Sequence, residues 1–408
     1  MRAFSIRLRW PRPSQWGRHA VREARPVWPD RLPALVLGGA AARAALAGTK
    51  LAIGVNDDAV KWRSGISSIA NDLGLGYYRV TQGWQPGQTQ PTDSDASALG
   101  EAVRNAGSQK LILSVCGSPS AAPVDVASQY CSFVSSLLDR FPQVAAVNIW
   151  NEANLAHFWR QQFNRNGSSA APAAYEALMP RCYDAIKSRH PSVRVPTSLS
   201  PRGNDNPHTR SNISHSVKSF VAKMGLAYRR SHRRARIFDA WGQNVYGSSS
   251  KERPWVRHRL DIGEGDYARL LSYLSAAFRG MRQPVPGQKD VRIWYLEDVF
   301  QTGVGAKRSF YGNTETDRGV VAPVGGRVSQ ASQLTDAIRL AYCQPAVGGF
   351  FNFLLADESS LHDWQSGILF ADWAPKPSYQ GLKDVIAEVN SGRVNCAKLG
   401  ARIKALGR

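Results

Sequence analysis

The sequence has no run of the roughly 18–20 uninterrupted apolar residues that a membrane-spanning helix requires, so no membrane span is expected. No glycine-rich phosphate-binding fingerprint follows the first apolar run after residue 50, which argues against a nucleotide-binding open sheet. Cysteines are few, and the five (Cys116, Cys131, Cys182, Cys343 and Cys396) never occur as the close pairs that zinc sites use. No metal or organic cofactor is expected. Acidic residues are scarce, 31 against 52 Lys and Arg, for a net charge of +21. Such a surplus suits attraction to an acidic cell-surface polymer. A dense cluster, Arg229, Arg230, Arg233, Arg234 and Arg236, reads as the solvated end of a helix; no nucleic-acid-binding module accompanies it, so no nucleic-acid partner is expected.

The chain divides into three parts. Residues 1–47 form a basic extension rich in Arg, Pro and Trp that leads into LPALVLGGAAARAALA at 32–47. A basic region, a short apolar segment and small residues at Ala45, Leu46 and Ala47 follow the pattern of a secretory signal, with an irregular tail as the alternative. The expected location is therefore outside the cell or on its surface. In an exported protein Cys116 with Cys131 and Cys343 with Cys396 are reasonable disulfides, leaving Cys182 free, although sequence alone does not settle the pairing. Residues 48–395 form the main domain, and 396–408 a basic tail.

Within the main domain eight short apolar runs alternate with amphipathic stretches: 51–55, 77–80, 111–115, 147–150, 193–199, 238–245, 291–296 and 349–355. Near-continuous apolar runs suit parallel strands covered on both sides. Tyr130, Phe133, Val134, Leu137 and Leu138 recur at helical spacing, as do Tyr175, Leu178, Met179, Cys182 and Ile186, and Leu382, Val385, Ile386 and Val389. A strand followed by a helix, repeated eight times, predicts an α/β fold of the (β/α)8 TIM-barrel type. Long segments after the fourth, fifth, seventh and eighth runs fall where barrel enzymes build their sites.

Two of these runs end in carboxylates. In VNIWNEAN at 147–154 an apolar strand stops at Glu152, flanked by amides. A carboxyl in a half-apolar pocket is pushed toward the proton affinity a general acid needs. Asn151 beside it can hydrogen-bond a sugar hydroxyl. In RIWYLEDVFQT at 292–302 the carboxylate is Glu297; Asp298 is the local competitor, but strand alternation sends it to the opposite face. Two carboxylates facing each other across a barrel mouth are what glycoside hydrolysis uses.

With these motifs the sequence resembles clan A of the glycoside hydrolases, barrel enzymes with catalytic Glu residues after the fourth and seventh strands, and in particular their bacterial cellulase-like members. WNEAN at 150–154 is similar to the clan's Trp-Asn-Glu-Pro signature, and LEDVFQT to its nucleophile segment. The resemblance implies Glu152 as acid/base, Glu297 as nucleophile, Arg79 as support for the nucleophile and Tyr246 as an aromatic residue hydrogen-bonded to it. WQSGILFADWAPKPSYQGL at 364–382 is similar to the final loop and helix of many members. Three departures stand out: Ala153 replaces proline, Asn244 stands where a His often precedes the Tyr, and Phe351, Asn352 and Phe353 occupy the region of a sugar-platform Trp. Trp84, Trp159, Trp241 and Trp364 are candidate stacking surfaces, with Trp84 and Trp364 favoured by their polar, Gly-rich surroundings. Asp357 and Glu358 are candidate hydroxyl ligands. The expected activity is retaining hydrolysis of a β-linked carbohydrate; the alternatives are a catalytically inactive glycan-binding barrel and a transglycosylase.

Overall fold

The computed structural model describes residues 50–209, 211–314, 322 and 328–406. The secretory-signal pattern lies outside them. Seven parallel strands, β1 (Ala52–Asn56), β2 (Tyr77–Gly83), β3 (Lys110–Cys116), β4 (Val144–Ile149), β5 (Ala240–Asn244), β6 (Arg292–Asp298) and β7 (Val347–Phe353), lie in the order β4-β3-β2-β1-β7-β6-β5. Helices α1 (Ile66–Leu73), α2 (Asp93–Ala106), α3 (Ala127–Arg140), α4 (Ala171–Arg189), α5 (Val217–Arg230), α6 (Tyr267–Phe278), α7 (Gln330–Cys343), α8 (Ser378–Asn390) and α9 (Cys396–Leu406) cover or follow them.

The fifth apolar run, 193–199, forms no regular strand, yet it occupies the fifth place in the barrel. Parallel bridges join Ala146 to Arg194 on one side, and Pro196 to Ala240 and Leu199 to Gln243 on the other. Two local features break the ladder. Pro196 has no N–H to donate, and the Gly242 N–H is taken by the Thr197 hydroxyl at 3.0 Å instead of a carbonyl. The backbones come very close here: a Cβ on Gly242 would lie 1.9 Å from the Thr197 carbonyl oxygen. The circuit is thus an eight-stave barrel with seven regular strands, and β6 is its seventh stave.

Inside the barrel Ile112, Ala146, Ala240, Trp294, Leu296 and Phe351 form a compact plug. A larger core fills the space between strands and helices, where Tyr130, Phe133, Val134, Leu137 and Leu138 of α3 are all buried. That apolar stripe repeats at helical spacing, and its burial holds the helix on the sheet.

The cysteine pairing differs from the expected one at its first member. Cys131 of α3 bonds Cys182 of α4, Cys343 of α7 bonds Cys396 at the start of α9, and Cys116 is buried and free. α3 and α4 are neighbours, and their facing stripes bring Cys131 and Cys182 to a Cα separation of 4.7 Å, within disulfide reach. The segment expected to be a basic tail carries α9, which buries Leu399 and is anchored by a forked pair of hydrogen bonds from Arg402 to Asp336 at 2.8 Å each. The basic cluster begins in the last turn of α5, where Arg229 and Arg230 complement the helix dipole. Beyond it Arg233 pairs with Asp184 and Arg236 with Asp290, each at 2.6 Å. Among the described residues no helix is long and apolar enough to cross a membrane.

Candidate active site

Parallel strands put all their carboxyl ends at one mouth, and the polar side chains of the barrel interior converge there. Polarity enters through inward positions of otherwise apolar strands: Asn56 closes β1, Arg79 sits in β2, Ser114 in β3 and Asn148 in β4. Arg79 is only 4% exposed and spends its guanidinium on five partners. Nη1 donates to Glu297 Oε1 and to Asn56 Oδ1, both at 2.7 Å; Nη2 donates to Ser114 Oγ and Asn151 Oδ1, both at 2.9 Å; and Nε reaches Asn148 Oδ1 at 3.4 Å. An arginine held this way is a fixed charge, and it is aimed at Glu297.

Glu152 sits just past β4 in a turn that the backbone makes by an unusual route. Trp150 and Glu152 both adopt left-handed conformations, with φ of 64° and 40°. For residues with a Cβ such conformations cost about 1–2 kcal/mol each, so the surroundings must hold them in place. The Trp150 N–H donates to the Val115 carbonyl and to the Tyr130 hydroxyl, both at 3.0 Å, and its indole donates to the Phe158 carbonyl at 2.7 Å. The turn thereby redirects the chain so that the Glu152 carboxyl faces inward. It meets Asn244 Nδ2 at 2.7 Å and the Tyr246 hydroxyl at 2.8 Å, both on Oε1.

The two carboxyls are buried to similar extents, 1% and 2% exposed, but have different neighbours. Burial raises Glu152 to about 7, helped by the negative charge of Glu297 and opposed by hydrogen bonds from Asn244, Tyr246 and Ser200. Burial also raises Glu297, but there the cation and hydrogen bonds of Arg79 work against it, with Asn244 contributing to both carboxyls. Two coupled acids in unlike surroundings separate into a proton holder and an anion. Glu152 is thereby pushed toward keeping its proton, whereas Arg79 opposes that push at Glu297.

The structure brings Glu152, Glu297, Arg79, Asn151 and Tyr246 together, with one change of partner. Tyr246 was expected to bond the nucleophile, yet its hydroxyl donates to Glu152 Oε1, although the end of β5 runs beside Glu297. Asn151 Oδ1 is engaged by Arg79 and by Ser198 Oγ, whereas its Nδ2 is buried with no partner among the described residues. An unengaged N–H donor beside the carboxyls fits the expected contact to a sugar hydroxyl. Asp298 turns away and lines a separate small cavity with Glu252, His258 and Glu264.

The tryptophans divide. Trp84 does not offer a sugar-stacking face: it is 1% exposed, its indole donates to the Gln88 carbonyl, and it packs edge-on with Tyr130 and Trp150 beneath the turn at 150–152. Polar, Gly-rich sequence flanked it because β2 ends there, not because the ring is exposed. Trp159 and Trp241 are likewise fully buried. Trp364 is also buried, at 5% exposed, but lies beside Tyr246. It packs on Phe353 and, together with Tyr246, Ser249, Ser250 and Gln301, lines a small cavity; its indole N–H has no partner among the described residues. Asp357 is not a hydroxyl ligand but half of a fully buried ion pair with Lys376 at 2.7 Å. Glu358 Oε2 accepts from the backbone N–H of Trp364 at 2.8 Å. Sequence reading missed Asn56, Ser114, Asn148, Ser198, Ser200 and the role of Asn244. A polar residue on the inward phase of an apolar strand was the available signal for the first three.

No protein-family profile matches the chain, and no curated protein sequence matches it. Solved structures do. A GH5_18 protein from Streptomyces cattleya, in complex with GlcNAc, is 15% identical with a TM-score of 0.52 and covers 85% of this chain and 82% of its own. A β-glucosidase from Thermotoga maritima is 12% identical with a TM-score of 0.50, over 79% of this chain and 85% of its own. A GH2 β-galacturonidase from Eisenbergiella tayi is 11% identical with a TM-score of 0.49; the match covers 83% of this chain but 51% of that protein, so the chain spans about half its length. At these identities the first two establish a shared TIM-barrel fold.

Proposed function

We propose that the protein is a glycoside hydrolase that cleaves O-glycosidic bonds with retention of configuration, using Glu297 as nucleophile and Glu152 as general acid/base. One observation carries the reading: two buried carboxyls at the ends of the fourth and seventh staves, one paired with Arg79 at 2.7 Å and the other raised to about 7 by burial and by its partner's charge. In the first step Glu297 Oε attacks the anomeric carbon, the glycosidic C–O bond breaks, and Glu152 gives its proton to the departing oxygen. In the second step Glu152, now ionised, takes a proton from water as that water's oxygen displaces Glu297 from the anomeric carbon. Asn244 and Tyr246 stabilise Glu152 while it is charged, and Arg79 holds Glu297 ready to attack.

The substrate in this reading is a β-linked oligo- or polysaccharide, met at the mouth by Asn151 Nδ2 and by the cavity of Trp364 and Tyr246. The two barrel neighbours, a GH5_18 protein in complex with GlcNAc and a β-glucosidase, are in keeping with carbohydrate chemistry. Two disulfides support a location outside the cell, since such bonds persist in oxidising compartments. The surplus of cations favours attraction to an acidic surface polymer. A glycan-binding barrel without catalysis would have no need to keep a buried Glu297–Arg79 pair, which is costly to desolvate. A transglycosylase would share both steps, with a sugar in place of water.

The test is hydrolysis of a panel of aryl β-glycosides and polysaccharides by wild type, Glu152→Gln and Glu297→Ala, with the anomer of the first product read by NMR. The expected result is turnover by wild type, a loss of at least roughly 100-fold in both variants, and a first product with the substrate's configuration. Inversion would remove the nucleophile assignment. Binding without turnover, unchanged by either substitution, would replace the enzyme by a glycan-binding barrel.

A further inference from the structure

Asn154, two residues beyond Glu152, has no role in the chemistry above, yet it is completely buried and densely bonded. Its Nδ2 lies 3.3 Å from the Ser200 carbonyl, 2.9 Å from that of Arg202 and 3.1 Å from that of His215, while its Oδ1 accepts the Ser200 N–H at 2.8 Å. Its backbone carbonyl accepts the His215 N–H at 2.9 Å. One amide therefore clamps the turn that carries Glu152 to the segment that follows the fifth stave.

The Ser200 segment returns to Glu152. The Ser200 hydroxyl is 3.2 Å from the Tyr246 hydroxyl, which donates to Glu152 Oε1 at 2.8 Å. A closed ring results: the Glu152 turn, the Asn154 amide, the Ser200 backbone, the Ser200 hydroxyl, the Tyr246 phenol and the Glu152 carboxyl. A second set of uncharged contacts braces the same turn from behind. Gln162 Nε2 donates to the Ala153 carbonyl at 2.9 Å, and Gln162 Oε1 meets His215 Nδ1 at 2.9 Å. The other ring nitrogen of His215 meets Ser169 Oγ at 2.6 Å.

We propose that Asn154 is a positioning residue for Glu152: its amide sets the register between the turn that presents the carboxyl and the Ser200–Tyr246 chain that orients it. This rests on the reading of Glu152 as the acid/base. The fifth stave is joined to β5 only by isolated bridges, the last of them from Leu199 to Gln243, and the clamp fixes the chain just beyond that bridge, at 200–202. Buried networks of this kind specify geometry because each member, left unpaired, is costly.

A misplaced acid leaves a particular kinetic mark. Glycosides of good leaving groups such as dinitrophenol depart with little protonation, whereas phenyl glycosides need the proton. The experiment compares kcat/KM on a dinitrophenyl and a phenyl glycoside of the sugar that wild type turns over, for wild type, Glu152→Gln, Asn154→Ala and Ser200→Ala. Asn154→Ala is expected to lose roughly 10- to 100-fold on the phenyl glycoside and only a few-fold on the dinitrophenyl one, a weaker copy of Glu152→Gln. Equal losses on both substrates, with Glu152→Gln still discriminating between them, would reduce Asn154 to a structural residue and overturn the proposal. If Asn154→Ala does not fold, Asn154→Asp carries the same test, because it keeps the Oδ1 acceptor of the Ser200 N–H and removes the Nδ2 donors of the clamp, with Ser200→Ala opening the ring on its other side for comparison; equal losses in Asn154→Asp overturn the proposal too. If Glu152→Gln itself fails to discriminate, the acid/base reading fails, and the two failures are told apart by that control.

Discussion

Arg79 and Tyr246 act on the two carboxyls in the same sense. Each stabilises a charged form, Arg79 that of Glu297 and Tyr246 that of Glu152. Because Glu152 must carry its proton at the start of the reaction, Tyr246 holds down the pH at which the acid is lost. Removing its hydroxyl deletes a donor to the carboxylate and so raises the proton affinity of Glu152 further above the ordinary range. In the pH profile of kcat/KM, Tyr246→Phe is therefore expected to move the alkaline limb, placed near 7 by Glu152, upward by roughly one unit, with a lower maximum because the carboxyl loses its orientation. An unmoved limb, or one moved to lower pH, would place the acid elsewhere. Legibility also varied residue by residue. Glu152 and Glu297 are visible because a charge at the end of an apolar run is costly unless it is used, whereas Arg79 was implied only by the family resemblance. Trp84 misled because neighbouring glycine and polar residues mark a strand end without marking which way a ring points.

The elements that surround the barrel were read from periodicity, and α3, α4 and α8 lie where apolar spacing placed them. α9 was not, because only Leu399 and Gly400 of its residues are buried, too few to mark a core-facing stripe. Its place comes from contacts distant in sequence: the Cys343–Cys396 bond, closing 53 residues, and the Arg402–Asp336 fork. On loop-closure grounds a crosslink of that span is worth at most about 4 kcal/mol. Cys396→Ser is expected to lower stability in urea by roughly 1–4 kcal/mol, with faster amide exchange in α9 and α7 than in the strands. Unchanged stability would show that the fork and Leu399 hold the helix without the bond.

At the level of the closed barrel the weakest seam is the fifth stave, where a threonine hydroxyl does the work of a backbone carbonyl and two chains touch at Gly242. A methyl group there would strike the Thr197 carbonyl and the Leu296 side chain, so the stave must move outward. Gly242→Ala is expected to cost about 3 kcal/mol, seen as a lowered thermal midpoint. Activity should fall further than folding, since Asn244 is only two residues on and bonds Glu152 at 2.7 Å. A variant with the wild-type midpoint would mean that the seam yields without strain and that closure does not depend on this contact.

The run of eight apolar segments determined the barrel, because a parallel strand buried on both faces has to be apolar nearly throughout, and that constraint is written locally in each run. The two carboxyls were legible for the same reason, as exceptions to it. What the local pattern does not hold is direction and partnership at a distance. Tyr246 bonds Glu152 rather than Glu297, Cys131 pairs with Cys182 rather than Cys116, and Asn154 clamps residues some 50 positions away. Each of these depends on which staves and helices become neighbours and on the angle at which a turn such as 150–152 leaves its strand. Those are settled by packing summed over the whole barrel, which no stretch of residues encodes alone.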